Sequence, residues 1–289
     1  MPQQHIHWFP GHMAKARRVI GEHLKLVDVV VELVDARIPV SSSNPMIDEI
    51  AAGKPRIIAL NKADLAEPQW TKRWIGYYAA AGFTAVALEA ASGKGLKPLT
   101  ALIENAAAPV LARLAAKGIR PRPVRAMILG IPNVGKSSLI NRLLGTATVR
   151  TGDRPGVTRG QQWIKIGRNL ELLDTPGVLW PKMDDQEVAF KLAVTGAVPD
   201  EVYDREQVVN KLLTLLRSYY GSMLTERYQL PLLDADNAVL LADIGRRRGC
   251  LRGGGGVDFD KAGRILLTEF RSSKLGRVTL DQPAEGNTE

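Results

Sequence analysis

The sequence predicts an α/β protein. A doubly wound sheet is expected over residues 1–180, followed by a mostly α-helical domain over 181–289. Three observations predict it. Short apolar runs alternate with helical patterns through the first part of the chain, as in a parallel sheet with crossover helices. The stretch Gly130-Ile-Pro-Asn-Val-Gly-Lys-Ser137 fits G-x-x-x-x-G-K-[ST] and lies between an apolar run and a helical pattern. Beyond Val178-Leu-Trp-Pro181, where the domain boundary is placed, the pattern reads as helices over Asp185 to Thr195, Asp204 to Tyr220 and Asp236 to Arg247.

The elements follow in order. A helix is expected from Met13 to about Leu26, with Lys15, Arg17 and Arg18 on its polar side. Val27 to Val34 is apolar enough for the middle of a parallel sheet. Pro45 opens a short helix after a Ser/Asn-rich loop. Arg56 to Leu60 is the next strand and ends on Asn61-Lys62-Ala63-Asp64. A helix over Pro68 to Ala81 carries Trp70, Trp74 and Tyr77 at packing spacing. Ala85 to Leu88 is a short strand, leading into the loop Glu89-Ala90-Ala91-Ser92-Gly-Lys-Gly95. A long helix, Leu96 to about Lys117, reaches an extended connector through Pro121 and Pro123. Val124 to Leu129 is the strand before the glycine-rich loop, and Ser137 to Leu144 the helix after it. Gln162 to Ile166 and Leu170 to Leu173 read as a hairpin turning at Gly167-Arg-Asn, and the second strand ends on Asp174-Thr-Pro-Gly177.

Composition bounds the chemistry. The chain has 289 residues, a formal charge of +9 and a pI of about 9.7, a balance that favours a polyanionic partner, most often nucleic acid. The charge is uneven. Residues 1–180 carry 24 Lys+Arg and 13 Asp+Glu, while 181–289 carry 15 and 17. Within the second part, Arg246 to Arg277 holds nine basic residues against three acidic ones, with glycines 253–256 permitting close backbone approach. A solvated helical face would carry the same charges. A single cysteine, Cys250, excludes an internal disulfide and points to a reducing compartment. No apolar run of membrane-spanning length and no signal-peptide core is expected, which places the chain in the cytoplasm. Three histidines in the opening stretch, His5, His7 and His12, match no metal-ligand spacing.

The motifs carry the chemistry. In the loop 130–137 the glycines let the backbone curl so that N–H groups point at phosphate oxygens, and the following helix adds partial positive charge there. Lys136 reaches the β- and γ-phosphates, and the Ser137 hydroxyl binds Mg²⁺. Asn133, Val134, Gly135, Lys136, Ser137 and Ser138 are the expected phosphate-side contacts. Asn61, Lys62, Ala63 and Asp64 stand at the carboxyl end of a strand, where open α/β sheets bind ligands. N-K-x-D there resembles the guanine-recognition motif of GTPases. Asp64 would accept hydrogen bonds from the base, Lys62 would lay its stem over it, and Asn61 would tie this loop to the P-loop. Standing alone, the tetrapeptide is also a plain helix N-cap pattern. Glu89 and Ala90 occupy the second guanine-contacting loop, with backbone N–H groups near Ala90 facing the base. Thr158 is a candidate to bind Mg²⁺ and sense the γ-phosphate. Asp174 would hold Mg²⁺ through water, and the Gly177 N–H would meet the γ-phosphate.

The order of these parts is unusual. Ras-like GTPases run P-loop, switch threonine, D-x-x-G, N-K-x-D. Here N-K-x-D comes first and D-x-x-G last, so the sequence resembles the circularly permuted GTPases. Trp8-Phe-Pro-Gly-His-Met13, Leu33-Val-Asp-Ala-Arg-Ile-Pro39 and Gly152-Asp-Arg-Pro-Gly156 narrow the resemblance to the ribosome biogenesis GTPase A family, over nearly the whole chain. The resemblance implies a GTP-hydrolysing factor in late maturation of the large (50S) ribosomal subunit. It implies GTP-dependent rRNA binding through the Arg246–Arg277 segment, with no membrane or DNA partner. It also implies turnover stimulated by ribosomes. The position of the Ras water-orienting glutamine holds Val178, which has no donor or acceptor. The resemblance therefore assigns the water to His12, whose alternative role is to cap or pack the first helix. In GTPases with an asparagine at position 133, its carbonyl helps hold K⁺ between phosphates, which implies potassium stimulation. Because Gly177 leads straight to Trp180 and Pro181, loss of the γ-phosphate is expected to pull on the second domain. Two other readings stand beside this one: a GTPase acting on tRNA, and a nucleotide-dependent RNA-binding module with negligible turnover.

Overall fold

The computed structural model describes residues 11–51, 53–145, 162–174, 185–230 and 234–283; for 11–17, Gln162 and Asp174 it describes the backbone alone. Six strands form the sheet: β1 (Val29–Asp35), β2 (Arg56–Asn61), β3 (Thr84–Ala87), β4 (Val124–Gly130), β5 (Gln162–Ile166) and β6 (Leu170–Asp174). Their order is β3-β2-β1-β4-β6-β5, with β5 antiparallel to β6 and every other pair parallel. All seven residues of β1 are buried, as a central parallel strand with both faces covered requires. The run is not purely apolar. Glu32 lies within it at 1% exposure, satisfied by Arg56, the Ser43 hydroxyl (2.8 Å) and the Asn44 N–H (3.2 Å).

The helices of this part are α1 (Gly11–Leu24), α2 (Pro39–Ser42), α3 (Pro45–Ile50), α4 (Pro68–Ala80), α5 (Leu96–Ala116) and α6 (Lys136–Leu144). Proline at N1 opens α3, and the Asn44 carboxamide accepts from Met46 N–H as its cap. Helix α1 and α3 cover one region of the sheet through Ile20, Leu24, Met46 and Ile47 against Val30, Met127 and Leu129. Trp74 of α4 closes another with Val34, Ile58 and Leu60. Of the three aromatics expected to pack, Trp74 is buried, whereas Tyr77 is 47% exposed and Trp70 stacks under the Arg73 guanidinium. Helix α5 corrects one expectation. By length and composition its 21 residues are apolar enough to cross a membrane. It instead lies on β1 to β4, burying Leu99, Ile103 and Ala107 at i, i+4, i+8.

The described chain divides into two compact units, 11–174 with 279–283, and 185–278. The expected boundary assigns all of 181–289 to the second domain. A short strap departs from that. Leu280 N–H donates to the Arg37 carbonyl (2.7 Å), and the Asp281 carboxylate accepts from Ser41 N–H (2.7 Å) and its hydroxyl (2.9 Å). The Trp74 indole N–H donates to the Asp281 carbonyl (2.9 Å), and Glu67 N–H donates to the Thr279 hydroxyl (3.0 Å).

The second unit contains α7 (Gln186–Thr195), a single 3-10 turn (Asp200–Val202), α8 (Arg205–Tyr228), α9 (Asn237–Arg247) and α10 (Phe259–Arg271). The expected stop at Tyr220 is a bend rather than an end. Tyr220 is non-helical (φ −135°, ψ 31°), and the helix resumes to Tyr228. Helix α10 is not among the helices expected by range. Asp258 caps it by accepting from Lys261 N–H (3.1 Å), and Gly263 lets it approach Val209 of α8.

Candidate functional site

The strand order reverses between β1 and β4: β2 and β3 extend to one side, β6 and β5 to the other. A crevice at the carboxyl ends of the two central strands is where such a sheet binds ligands. In register, Leu33 pairs with Gly130 and Asp35 with Asn61. The glycine-rich loop leaving β4 and the Asn61–Asp64 loop leaving β2 therefore emerge at one edge. The backbone of Asp174 ends β6, the strand next to β4.

Helix α6 begins at Lys136, with Gly135 as a left-handed N-cap (φ 106°). The side chains of Ser137 and Ser138 are half-buried in its first turn. Lys136 is buried, its ammonium donating to the carbonyls of Gly130 (3.1 Å) and Ile131 (2.8 Å) across the loop. Asn133 also takes a left-handed conformation (φ 55°), which non-glycine residues adopt infrequently. An N-terminal turn with no side-chain cap, a curled backbone and a lysine held over the loop together fit a phosphate chain.

Asn61 locks this loop to two others. Its Nδ2 donates to the Val134 carbonyl (2.7 Å), and its Oδ1 accepts from the Ala90 N–H (2.9 Å). The fit is tight: a Cβ at Gly135 would stand 2.3 Å from Asn61 Nδ2. The Ala90 N–H, one of the backbone groups expected near the base, is the one that donates to Asn61. The rest of that loop is held by its own groups. Glu89 bonds Lys94 Nζ (2.9 Å) and the Ser92 hydroxyl (2.9 Å), and Arg142 of α6 donates to the Ser92 carbonyl (2.6 Å). Sequence reasoning missed Arg142, whose only signal was a cation on the outer face of the P-loop helix.

Lys62 leaves β2 in a left-handed conformation (φ 60°), and Ala63 N–H donates to the Leu88 carbonyl (3.1 Å). Asp64 follows on a turn, half-buried, and among the described residues no hydrogen bond or ion pair engages its carboxylate. A carboxylate left in that state beside a phosphate cradle is an acceptor for a ligand donor. Lys62 Nζ pairs with Asp35 Oδ2 (3.0 Å). Burial pushes the Asp35 carboxyl up, but Arg37 and Lys62 together outweigh it and hold it well below the usual carboxylate range.

The other expected site residues are described in part or not at all. His12 is the second residue of α1, described by its backbone only. Thr158, Gly177, Val178, Trp180 and Pro181 lie outside the described residues. Among the described residues no cluster of three or more His, Cys, Asp or Glu side chains could hold a metal ion. For Mg²⁺ the chain offers the Ser137 hydroxyl, half-buried in the first turn of α6, and Asp174 at the end of β6.

The nine cations of 246–277 divide. Arg271 binds the carbonyls of Ala193 and Val194 and the Asp200 carboxylate, and Arg248 pairs with Glu269 and stacks on Tyr228. Arg246, Arg252 and Arg264 make surface pairs with Asp243, Asp258 and Asp260, and Lys261 donates to the Gly249 carbonyl (3.4 Å). Arg247, Lys274 and Arg277 are exposed. Glycines 253–256 form the tip of a tight turn between Leu251 and Val257, closed by Arg252 N–H to the Gly256 carbonyl (2.8 Å).

An N-K-x-D loop leaving β2, reached in the chain before the P-loop on β4 yet placed beside it in space, defines a P-loop GTPase with circularly permuted motif order. Comparison with known proteins agrees. A family described as 50S ribosome-binding GTPase matches residues 125–218. The chain is 53% identical over 281 residues to Ribosome biogenesis GTPase A of Priestia megaterium, covering 97% of this chain and 98% of that one. It is 51% identical over 280 residues to the protein of the same name in Bacillus cereus, covering 97% and 95%. Among solved structures, the GNP-bound YlqF from T. maritima superposes with a TM-score of 0.65 at 28% identity, covering 93% of this chain and 99% of that chain. The chain belongs to the ribosome biogenesis GTPase A family.

Proposed function

We propose that this GTPase acts in late maturation of the large (50S) ribosomal subunit, in the cytoplasm, binding rRNA when it carries GTP. The observation that carries the nucleotide half is the Asn61 lock. It holds the P-loop, the Lys62–Asp64 turn and the Glu89–Ser92 loop in one constellation, with the Asp64 carboxylate left for a base donor. The ribosomal half is supported by the names of the relatives and by the net charge of +9. Arg247, Lys274 and Arg277 are the cations of the second unit best placed for RNA phosphates, since Arg248 and Arg271 serve the fold. The domain boundary near 180 and the two-part organisation belong to this reading.

In the proposed site the α6 N-terminus and Lys136 bind the phosphates. Asn61 fixes loop geometry, Asp64 selects guanine and Lys62 packs against it. Ser137, Thr158 and Asp174 would hold Mg²⁺, and Asn133 would hold K⁺. Such cations supply charge neutralisation on the transferring phosphate. His12 orients the attacking water, and Gly177 and Thr158 sense the γ-phosphate.

The experiment is pelleting through sucrose with purified subunits, with a non-hydrolysable GTP analogue or GDP, across a salt series. Tighter large-subunit binding with the analogue, weakening as salt rises, is expected. Nucleotide-independent pelleting would remove the switch, and no large-subunit binding at low salt would remove the ribosomal assignment. Turnover with subunits, in potassium and in sodium at equal ionic strength, tests Asn133. Equal rates would dismiss the ion, and parental turnover in His12→Ala would return His12 to the first helix.

A further inference from the structure

Resting on the reading of Lys62 as the side chain packed against a guanine base, we infer that Asp35 is a positioning residue that pins the Lys62 ammonium, so that the lysine stem stays aligned as a platform. Asp35 is the last residue of β1, in register with Asn61 and hence beside the strand end that delivers Lys62. It is 2% exposed. Its carboxylate cannot turn. Oδ1 accepts from Arg37 N–H (3.0 Å) and Nε (2.9 Å), and Oδ2 accepts from Arg37 Nη2 (2.7 Å) and meets Lys62 Nζ (3.0 Å). The Asp35 N–H donates to the Ser42 hydroxyl (2.9 Å), which donates in turn to the Ile38 carbonyl (2.7 Å).

A single arginine in bidentate geometry already neutralises a buried carboxylate. Lys62 adds a second positive charge to that compensation. What Lys62 gains is direction. Its backbone is left-handed, its side chain is 23% exposed, and a lysine in that setting has many rotamers in water. Anchoring the ammonium on a rigid acceptor removes most of them before a ligand arrives, which is the physical content of preorganisation. Arg37 is itself fixed from behind, because its carbonyl accepts the Leu280 N–H of the strap.

The test compares parent, Lys62→Met, Asp35→Asn and the double variant in titrations with mant-GDP, with inorganic triphosphate as a competitor that lacks a base. Methionine keeps an apolar stem of similar length and loses only the ammonium. Each single variant is expected to bind mant-GDP about tenfold more weakly, and the double variant no more weakly than either, as for residues acting through one contact. Affinity for triphosphate should stay parental, an outcome that general damage to the fold would not produce. Parental mant-GDP affinity in Lys62→Met, additive losses in the double variant, or an equal loss for triphosphate would each overturn the inference. Lys62→Met carries the test should Asp35→Asn fail to fold. A parent chain that does not bind mant-GDP would overturn the guanine-site reading itself, a separate result.

Discussion

Asn61→Ala should separate the nucleotide loops without touching the ligand. Two short hydrogen bonds disappear, to the Val134 carbonyl (2.7 Å) and from the Ala90 N–H (2.9 Å). Asn61 is 2% exposed, Val134 is fully buried and Ala90 is 4% exposed, so water does not readily replace the lost partner. A buried hydrogen bond contributes about 1 kcal/mol net, and an orphaned buried group costs about 1–3 kcal/mol. Partial relaxation of the loops leaves a total of about 2–3 kcal/mol. If about 2 kcal/mol of that must be restored when nucleotide binds, affinity falls about 30-fold. The assay is a mant-GDP titration beside a thermal melt. Asn61→Asp sharpens it: the carboxylate still accepts from Ala90 N–H but faces the Val134 carbonyl with no proton. It should lose at least half as much. An alanine variant binding within twofold of the parent would show that the lock does not preorganise the site.

Asp64→Asn should weaken GTP at least tenfold and favour xanthosine triphosphate, whose C2 oxygen needs a donor; unchanged GTP affinity in a direct competition would remove Asp64 from the base site. Asp281→Ala should cost about 2–4 kcal/mol, because Ser41 N–H and its hydroxyl lose a buried carboxylate; a urea midpoint equal to the parent's would make the strap ornamental. Asp28 supplies the pH dependence. Burial pushes its carboxyl up, but hydrogen bonds from Arg122 and the Arg125 N–H and the charges of Arg122 and Lys54 outweigh it, holding it below its ordinary value. The unfolded chain takes up the proton near pH 3.9, before the folded chain does, so this stabilisation is present above about pH 4 and lost as pH falls further. Asp28→Asn should be less stable at pH 7 and flatter than the parent between about pH 5 and pH 3; parallel curves would refute the assignment.

Local signals made the site legible. The P-loop and N-K-x-D announce themselves within a few residues, because a curled glycine backbone and a strand-end carboxylate need particular residue types in sequence. Strand positions followed from valine-rich runs such as 29–31, buried on both faces. What escaped was non-local or masked by charge. In α10, Ala262, Leu266, Leu267 and Phe270 face the core, yet Lys261, Arg264 and Arg271 between them made the stretch read as a cationic surface. The Asp281–Ser41 bonds join residues 240 apart, and most of the strap's bonds use a main-chain atom on at least one side, which no residue type reveals. The Asp35–Lys62 pair needed the register of β1 against β2 before the two could be seen as neighbours.

The strap also has a consequence for biosynthesis. A nascent chain completes its sheet when Asp174 has been made, but Trp74 and Ser41 receive their partners only with Asp281. Roughly a hundred residues intervene, so at usual elongation rates the sheet unit waits about 5–20 s for its final contacts. During that interval an indole N–H and a serine stand open on a nearly finished body. A prematurely terminated polypeptide would keep them open, leaving a local instability for cellular proteases to find.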